Sequence, residues 1–488
     1  MTIENFVPRS AWMLALAIPG VVALSAPCPA LAQSADPAVQ DMAAGNGGAE
    51  GGRPAPQAGG DEGAAAAREP ETWSFHIQYT LTEQFHPTFP SPYTGNNGTN
   101  ALNNKFQSRE TQSMTPFLAA RLGPSTELYV DPEMFEGFGL SNGLGLGDLT
   151  NGEAQKVGSV NPKVYMARYY LKQVIGFGGP REWEEGGPHQ LAGWQDVSRL
   201  TLVAGTFALT DFMGGNSYAS DPRHDFDNWG IIQGAAWDWA ADGRAYTSGL
   251  YAEFNQEDWA LRWAGVLQPK MPGGQVVYYH GSNNIDHNVE LETRYKIEDR
   301  PGKLRLLGFL NQGNMGSYAR INSLAAEGVD IGTATGISRG EWGKTKVGYV
   351  VNLEQELADE LGVFGRWSWN DGTTEDWNYT DADHSLSGGL SLKGGRWNRP
   401  DDTYGLGMVV SGLSGQHQLF LANGGMGMML GEGSLPKYQQ EMAMETYYAW
   451  KVFDPLTLTA DYQYIANPGY NPTRGPVHVF GARVHLEY

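Results

Sequence analysis

The chain has 488 residues, with 54 acidic against 33 basic side chains and a net charge of −21. This length allows several soluble domains or one large barrel. The acidic balance argues against nucleic acid as a partner, because phosphates are bound by basic patches. Past residue 25, no apolar run approaches the ~20 residues that a membrane helix needs. Abundant Gly (65), Tyr (23) and Trp (15) instead favour β-structure with many turns.

Residues 1–32 have the features of a secretory signal peptide. Arg9 supplies positive charge, Trp12 to Leu24 form a short apolar stretch, and Ala30-Leu31-Ala32 is a small-x-small cleavage pattern. The only cysteine, Cys28, lies inside this signal. The mature chain is therefore expected to contain no disulfide and no cysteine metal ligand.

Residues 33–72 are rich in Ala, Gly, Pro and acidic side chains, with almost no large apolar ones. Such a segment cannot bury enough surface to order itself, so it is predicted to be a flexible periplasmic extension. The composition changes at Trp73, where the barrel, residues 73–488, is predicted to begin.

From Trp73 onward the sequence alternates between apolar and polar residues in segments of about ten, the length of a tilted membrane strand. In the first segment Trp73, Phe75 and Ile77 share one face, and Ser74 and His76 share the other. Strands are predicted near 73–84, 113–122, 126–135, 163–176, 198–208, 244–254, 258–268, 286–298, 302–313, 343–357, 361–371, 384–394, 402–412, 440–452, 455–466 and 477–488. The predicted fold is all-β, a transmembrane antiparallel β-barrel of about sixteen strands.

The predicted links alternate in length. Tight turns such as Gly123-Pro124-Ser125 and Phe453-Asp454 alternate with long segments such as 209–243, as expected of short periplasmic turns and long extracellular loops. The link 177–197 breaks this rule and would have to be periplasmic. The terminal Tyr488 on an amphipathic strand resembles the signal read by the outer-membrane assembly machinery, which is an expected partner.

Several sequence blocks together resemble the OprB-type carbohydrate-selective porins over roughly Trp73 to Tyr488. The blocks are Val130-Asp131-Pro132-Glu133 with Gly137-Phe138-Gly139-Leu140-Ser141-Asn142, Gly152-Glu153-Ala154 with Lys156-Val157-Gly158, Arg300-Pro301-Gly302-Lys303-Leu304, Asn352-Leu353-Glu354-Gln355, Arg399-Pro400-Asp401-Asp402, and the closing run Asn467-Pro468, Arg474-Gly475-Pro476-Val477 and Phe480-Gly481-Ala482-Arg483. The resemblance implies a sixteen-stranded barrel that lets sugars diffuse into the periplasm. It does not include the extension from Ala35 to Ala67.

A sugar pore needs polar side chains in its lumen to replace the hydrogen bonds that water makes to hydroxyl groups. Charged residues on the predicted inward faces are therefore the candidate substrate-binding residues: Asp131, Glu133, Arg168, Lys172, Arg262, Glu290, Glu292, Arg294, Arg305 and Arg366. Each could instead be a solvated structural charge. The stretches Gly137 to Gly147 and Asp221 to Asn228 are candidates to fold back and constrict the lumen, or to be ordinary surface loops.

The predicted function is passive diffusion of mono- and small oligosaccharides through the outer membrane of a Gram-negative bacterium, without a reaction, cofactor or metal. Outer-membrane lipids and permeating sugars are the expected partners, and a homotrimer is left open. The alternatives are a non-selective general porin, a plugged structural barrel, and a barrel enzyme of the lipase or protease type. Gly139-Leu140-Ser141-Asn142-Gly143 fits the G-x-S-x-G pattern of serine hydrolases, but lacks the strand and helix that the nucleophile elbow requires.

Overall fold

The computed structural model describes residues 68–95, 98–154, 158–377 and 379–488. Within them, sixteen strands close into one antiparallel barrel in which each strand pairs with its neighbour along the chain, and the first pairs with the last. The predicted all-β barrel of about sixteen strands is confirmed. The predicted signal peptide and nearly all of the predicted extension, residues 1–67, lie outside the described residues.

Most strands begin and end within about three residues of their predicted bounds, and the two exceptions begin earlier, at Gln107 instead of residue 113 and at Ser159 instead of residue 163. The barrel strands are β1 (Trp73–His86), β2 (Gln107–Gly123), β3 (Thr126–Gly137), β4 (Ser159–Gly176), β7 (Arg199–Phe207), β8 (Thr247–Asn255), β9 (Trp259–Leu267), β10 (Ile285–Ile297), β11 (Arg300–Gly313), β12 (Lys344–Ala358), β13 (Leu361–Asn370), β14 (His384–Gly394), β15 (Arg399–Gly412), β16 (Glu441–Phe453), β17 (Leu456–Ala466) and β18 (Val477–Glu487). A separate hairpin, β5 (Arg181–Glu184) and β6 (Gly193–Asp196), lies between β4 and β7.

The barrel wall is apolar outside and polar inside, as the alternation in the sequence requires. On β1, Trp73 and Phe75 are exposed, whereas Thr80 and Thr82 are buried. Side chains on a strand alternate between faces, so a strand that separates lipid from a polar lumen must show this inverted pattern.

The two ends of the barrel differ. One end carries the tight turns, such as residues 124–125 and 298–299, and is called the short-turn end; the other carries the long connections and is called the long-loop end. The β4–β7 link, with its β5–β6 hairpin, lies at the short-turn end, where the alternation predicts it.

Closure of the barrel joins its first and last strands. β1 pairs with β18 from Gln78 opposite Glu487 to Phe85 opposite Phe480. Ile77 and Tyr488 then exchange two backbone hydrogen bonds of 2.8 and 2.9 Å. No strand edge is left unpaired in the closed sheet, which is what a bilayer demands of a β-structure.

In the part of the chain that the structure describes, four short α-helices lie in the long connections: α1 (Trp229–Ile232), α2 (Tyr318–Ala326), α3 (Ile331–Arg339) and α4 (Gly415–Ala422). The N-cap residues of α2, α3 and α4 are Ser317, Asp330 and Ser414, whose side chains accept the capping hydrogen bonds. Their buried faces form a small hydrophobic core at the long-loop end around Tyr318, Phe420 and Tyr470. Among the described residues, no helix has the length and apolarity required to span a membrane.

The outward face of β10 provides a test of the wall. Leu291, at the centre of the strand, and Ile297, at its end, lie on the same exposed face. Replacing Leu291 by Arg should lower the unfolding free energy in lipid vesicles by about 2–4 kcal/mol, because the charge would lie at the bilayer midplane. Urea unfolding measures this change. The matched control, Ile297→Arg, should cost about 0–1 kcal/mol; equal costs at the two positions would contradict this placement of the wall in the bilayer.

Candidate functional site: the barrel lumen

Nine of the ten predicted lumen residues fall into two ion-paired groups. The larger group is called the acid–base ladder and lines the lumen face of β8 to β12. It consists of Arg262, Arg294, Lys303 and Arg305 with Glu253, Glu290, Glu292 and Glu354. The ladder thus balances four cations against four carboxylates.

The ladder runs from strand to strand through its arginines. Arg262 contacts Glu253 and Glu290 at 2.7 Å each and Glu292 at 3.2 Å. Arg305 continues the ladder with contacts to Glu292 at 2.8 Å and to Glu354 at 2.9 Å. These are charge-assisted hydrogen bonds in which each guanidinium bridges two or more carboxylates, so the side chains hold one another in position.

The second group lies on β3 and β4 and is called the β3–β4 cluster: Glu127, Asp131, Glu133, Arg168 and Lys172. Lys172 approaches Glu127 at 3.6 Å, and Arg168 lies 3.9 Å from Asp131. Other segments complete it. From the β4–β7 link, His189 approaches Asp131 at 2.9 Å. From the connection between β7 and β8, the hydroxyl of Tyr246 donates to Glu133 at 2.7 Å.

The tenth predicted residue, Arg366, has a different environment. Its side chain is buried, and its guanidinium donates to two backbone carbonyls, Ile231 O at 2.7 Å and Ala219 O. No carboxylate of the described residues lies within ion-pair distance of it. Arg366 therefore holds a chain segment against the wall.

That segment is the connection between β7 and β8, residues 208–246, here called the infolded segment. It crosses the lumen and hydrogen-bonds to inward-facing side chains around most of the barrel. Gly214 N donates to Glu290 at 2.8 Å, and Ala236 N donates to Ser368 at 2.9 Å. Further bonds to the wall involve Asp286, Asn288, Asn311, Lys346, Asn352, Glu354, Glu445, Gln463 and Arg483. The predicted constriction Asp221 to Asn228 belongs to this segment.

Aromatic side chains join the infolded segment to the connection between β13 and β14. Trp239 stacks on Tyr379 with ring centres 5.1 Å apart, and Trp229 packs on both. All three are buried, so their ring faces contact one another. This packing holds the infolded segment against the β13–β14 connection inside the barrel.

The second predicted constriction, Gly137 to Gly147, begins another connection that enters the lumen. Residues 138–154 continue inward and are called the glycine-rich segment. Gly147 N donates to Glu441 at 2.9 Å, and Thr150 O accepts from Gln84 and from Gln463 at 2.7 Å. Gly152 N donates to Asp227 O at 2.7 Å, so the two segments also bond to each other.

The serine of the G-x-S-x-G pattern is part of this packing. Ser141 is buried, accepts from Asn103 N at 2.9 Å, and hydrogen-bonds to the Gln107 side chain at 3.1 Å. An amide oxygen is a hydrogen-bond acceptor, but it is not the general base that a serine nucleophile requires.

Several residues that contact the predicted lumen residues were not themselves predicted from the sequence. Glu253 and Glu354 occupy inward-facing strand positions, so the alternation that identified Glu290 could have identified them too. Asp211 and Arg223 come from the infolded segment, for which no local pattern gives a position. Asp211 contacts Arg168 at 2.7 Å; although burial acts in the opposite direction, the guanidinium lowers the pKa of Asp211.

A known protein family and solved structures match the chain. The family described as "Carbohydrate-selective porin, OprB family" matches residues 118–488. The chain is similar to the high-pH structure of OprB from Pseudomonas putida, with 16% identity, a TM-score of 0.63, and coverage of 86% of this chain and 94% of that one. The low-pH structure of the same protein is matched with 12% identity and a TM-score of 0.46, over 86% of this chain and 93% of that one. No curated protein matches the chain.

Asp148 in the glycine-rich segment gives a pH prediction. It is buried, hydrogen-bonds through one carboxylate oxygen to Ser411 at 3.0 Å, and leaves the other without a hydrogen-bond partner among the described residues. Burial raises the pKa of Asp148 to about 6. The folded state therefore binds this proton more tightly than the unfolded state, so lowering the pH from 7 through 6 should raise the unfolding free energy. The gain from this group should be about 1.4 kcal/mol between pH 7 and pH 5, and about 3 kcal/mol in total once the pH falls below the ordinary pKa of an aspartate.

Asp148→Asn removes this contribution. Urea unfolding at pH 7 and pH 5 should show a smaller gain in stability at low pH for the variant than for the unmodified protein. A gain of the same size in both would show that Asp148 does not titrate in this range.

Proposed function

The chain belongs to the OprB family of carbohydrate-selective porins and lets carbohydrates diffuse through the outer membrane, and from this premise we propose how its lumen favours them. Sugars pass beside the infolded segment, where the acid–base ladder and the β3–β4 cluster offer hydrogen bonds to their hydroxyl groups. The predicted substrate-binding residues of these two groups carry this role. Arg366 has a supporting role, because its guanidinium is occupied by backbone carbonyls.

The observation that carries the proposal is the balance of charge in the ladder. Four cations and four carboxylates supply many donors and acceptors with little net charge. A ring of charges of one sign would attract counter-ions, whereas a surface with equal numbers of positive and negative charges does not favour either kind of ion. A neutral, hydroxyl-rich solute can exchange its hydrogen bonds with water for bonds to these groups.

The orientation of the barrel follows from its turns. Short turns are typical of the periplasmic side of outer-membrane barrels, so the short-turn end, where β1 begins and β18 ends, faces the periplasm. On this orientation, removal of residues 1–32 by signal peptidase leaves residues 33–72 as a periplasmic extension. Its last residues are attached to the barrel, since Glu71 N donates to Ala192 O at 2.9 Å.

Two proposed partners bind outside the lumen of the barrel. The aromatic Tyr488, which is 80% exposed, is available to the outer-membrane assembly machinery. The outer wall carries exposed apolar side chains such as Leu386 and Leu406, which can face lipid or a second copy. A homotrimer stays a prediction, and the mass of the purified complex in detergent decides it.

Solute entry into liposomes is the first test of the proposal. Swelling with graded sugars should be faster than swelling with charged solutes of similar size, because the lumen has polar groups without a dominant sign. Equal rates for both classes would show a general porin, and no conductance in a planar bilayer would show a plugged barrel.

Arg305→Met tests the charge balance itself. It leaves Glu292 and Glu354 with one cation fewer, so the reversal potential in a salt gradient should shift toward cation preference. Sugar entry should fall about fivefold if about 1 kcal/mol of hydrogen bonding is lost. The exposed Arg396, on the turn after β14, supplies the control Arg396→Met, which should change neither quantity. An unchanged reversal potential for Arg305→Met would contradict the role given to the ladder.

The proposal of a channel without an enzymatic activity has its own test. Lipid hydrolysis should be undetectable for the purified barrel, because the Ser141 hydroxyl is buried and bonds to an amide. Hydrolysis that disappears in Ser141→Ala would overturn it.

A further inference from the structure

Two histidines and a glutamate meet where the infolded segment contacts the last strand. His224 belongs to the infolded segment, and His485 and Glu487 lie two residues apart on the lumen face of β18, at the short-turn end. Their potential ligand atoms all lie within 4.8 Å of one another. This group is called the His–His–Glu site.

The spacing of the site is close to that of a zinc centre. Glu487 Oε2 lies 3.5 Å from His224 Nε2 and 3.6 Å from His485 Nε2. Tetrahedral Zn²⁺ with bonds of 2.0–2.1 Å separates its ligand atoms by about 3.3 Å. Small side-chain rotations would therefore bring the three atoms to bonding distance.

One ligand atom has no other role among the described residues. His485 is 2% exposed, and its Nε2 has no hydrogen-bond partner there. Its Nδ1 lies 2.9 Å from the Thr80 hydroxyl. When Nδ1 donates to that hydroxyl, Nε2 presents its lone pair to the site, an arrangement in which an outer hydrogen bond orients a metal-binding histidine.

Charges of both signs lie around the site, and each of its three cations is paired with a carboxylate. Arg483 is ion-paired with Asp227 at 2.6 Å, Arg223 with Glu153 at 3.1 Å, and Lys451 with Asp454 at 3.1 Å. Asp221, which packs near both histidines, adds a negative charge.

A second group of potential ligands already holds a cation. Asp376, Asp383 and His417 also meet within 4.8 Å, but the Lys346 ammonium contacts Asp376 directly and lies 3.0 Å from Asp238. A metal ion there would have to displace that buried ammonium or share its carboxylate. This group serves as a control.

We infer that His224, His485 and Glu487 form a site for Zn²⁺ or a similar divalent transition-metal ion, which fastens the infolded segment to β18. Two imidazoles and one carboxylate select such ions over Ca²⁺ and Mg²⁺, which prefer oxygen ligands throughout. The sequence alone predicts no metal site, because His224 and His485 are remote in the chain. Since an ion bound only in the assembled arrangement stabilises it, Zn²⁺ should also hold the segment in the lumen.

Metal binding by the full-length, tag-free protein tests the inference. Equilibrium dialysis against Zn²⁺ should give about one ion per chain, and Co²⁺ in its place should give the visible absorption of a four-coordinate site. His224→Gln and His485→Gln should each weaken binding by about 10-fold or more, since even outer-shell partners contribute that much. His417→Gln, in the second group, and His478→Gln, on the outer face of β18, should bind as the unmodified protein does.

Binding does not require an open channel, so this result is separate from the tests of sugar passage. Heat-modifiable electrophoretic mobility verifies that each variant is folded. If His485→Gln does not fold, His224→Gln and Glu487→Gln carry the test, because both residues are only partly buried. Zn²⁺ binding no stronger than that of Ca²⁺, binding unchanged in the site variants, or binding lost in His417→Gln would each overturn the inference.

Discussion

The structure depends on one constraint, which is that a backbone inside a bilayer has no water to bond with. A β-structure meets it only by closing on itself, and here β1 closes on β18. Closure by sixteen strands makes a barrel too wide for its own wall side chains to fill. The shape of the lumen is therefore determined by the chain segments that enter it, which here are the infolded segment and the glycine-rich segment.

Those segments explain why so much of the inner wall is polar. A connection without regular structure carries backbone groups that must be bonded, and inside a barrel the partners available are wall side chains. Ser368 and Glu445 accept backbone N–H groups, and Arg366 donates to backbone carbonyls. An inward-facing charge is thus not by itself a contact for a solute. The ladder differs because its cations and carboxylates bond mainly to one another along the wall.

The sequence predicts the wall well and the interior only in part. Strands and tight turns can be predicted from local alternation and turn residues. The predicted strand 361–371, for example, lies within a residue of the observed Leu361–Asn370. The same alternation brought Arg262, Glu290 and Arg305 together on neighbouring strands. It could not show that Arg366 lies under the infolded segment, or that Asp211 pairs with Arg168, because both depend on the path of a long connection through the lumen. Short helices such as α2 were likewise not predicted within a long loop.

A disulfide across the contact between the infolded segment and the wall tests whether the segment occupies this position in the conducting protein. Ala236 N lies 2.9 Å from the Ser368 hydroxyl, so Ala236→Cys with Ser368→Cys, in a chain that also carries Cys28→Ser, places two thiols at this contact. Single-channel conductance is recorded before and after oxidation. The disulfide should form rapidly and leave sugar passage unchanged, since the bond fixes the segment where it already lies. Failure of the thiols to join, or loss of conductance when they do, would show that the conducting protein holds this segment elsewhere.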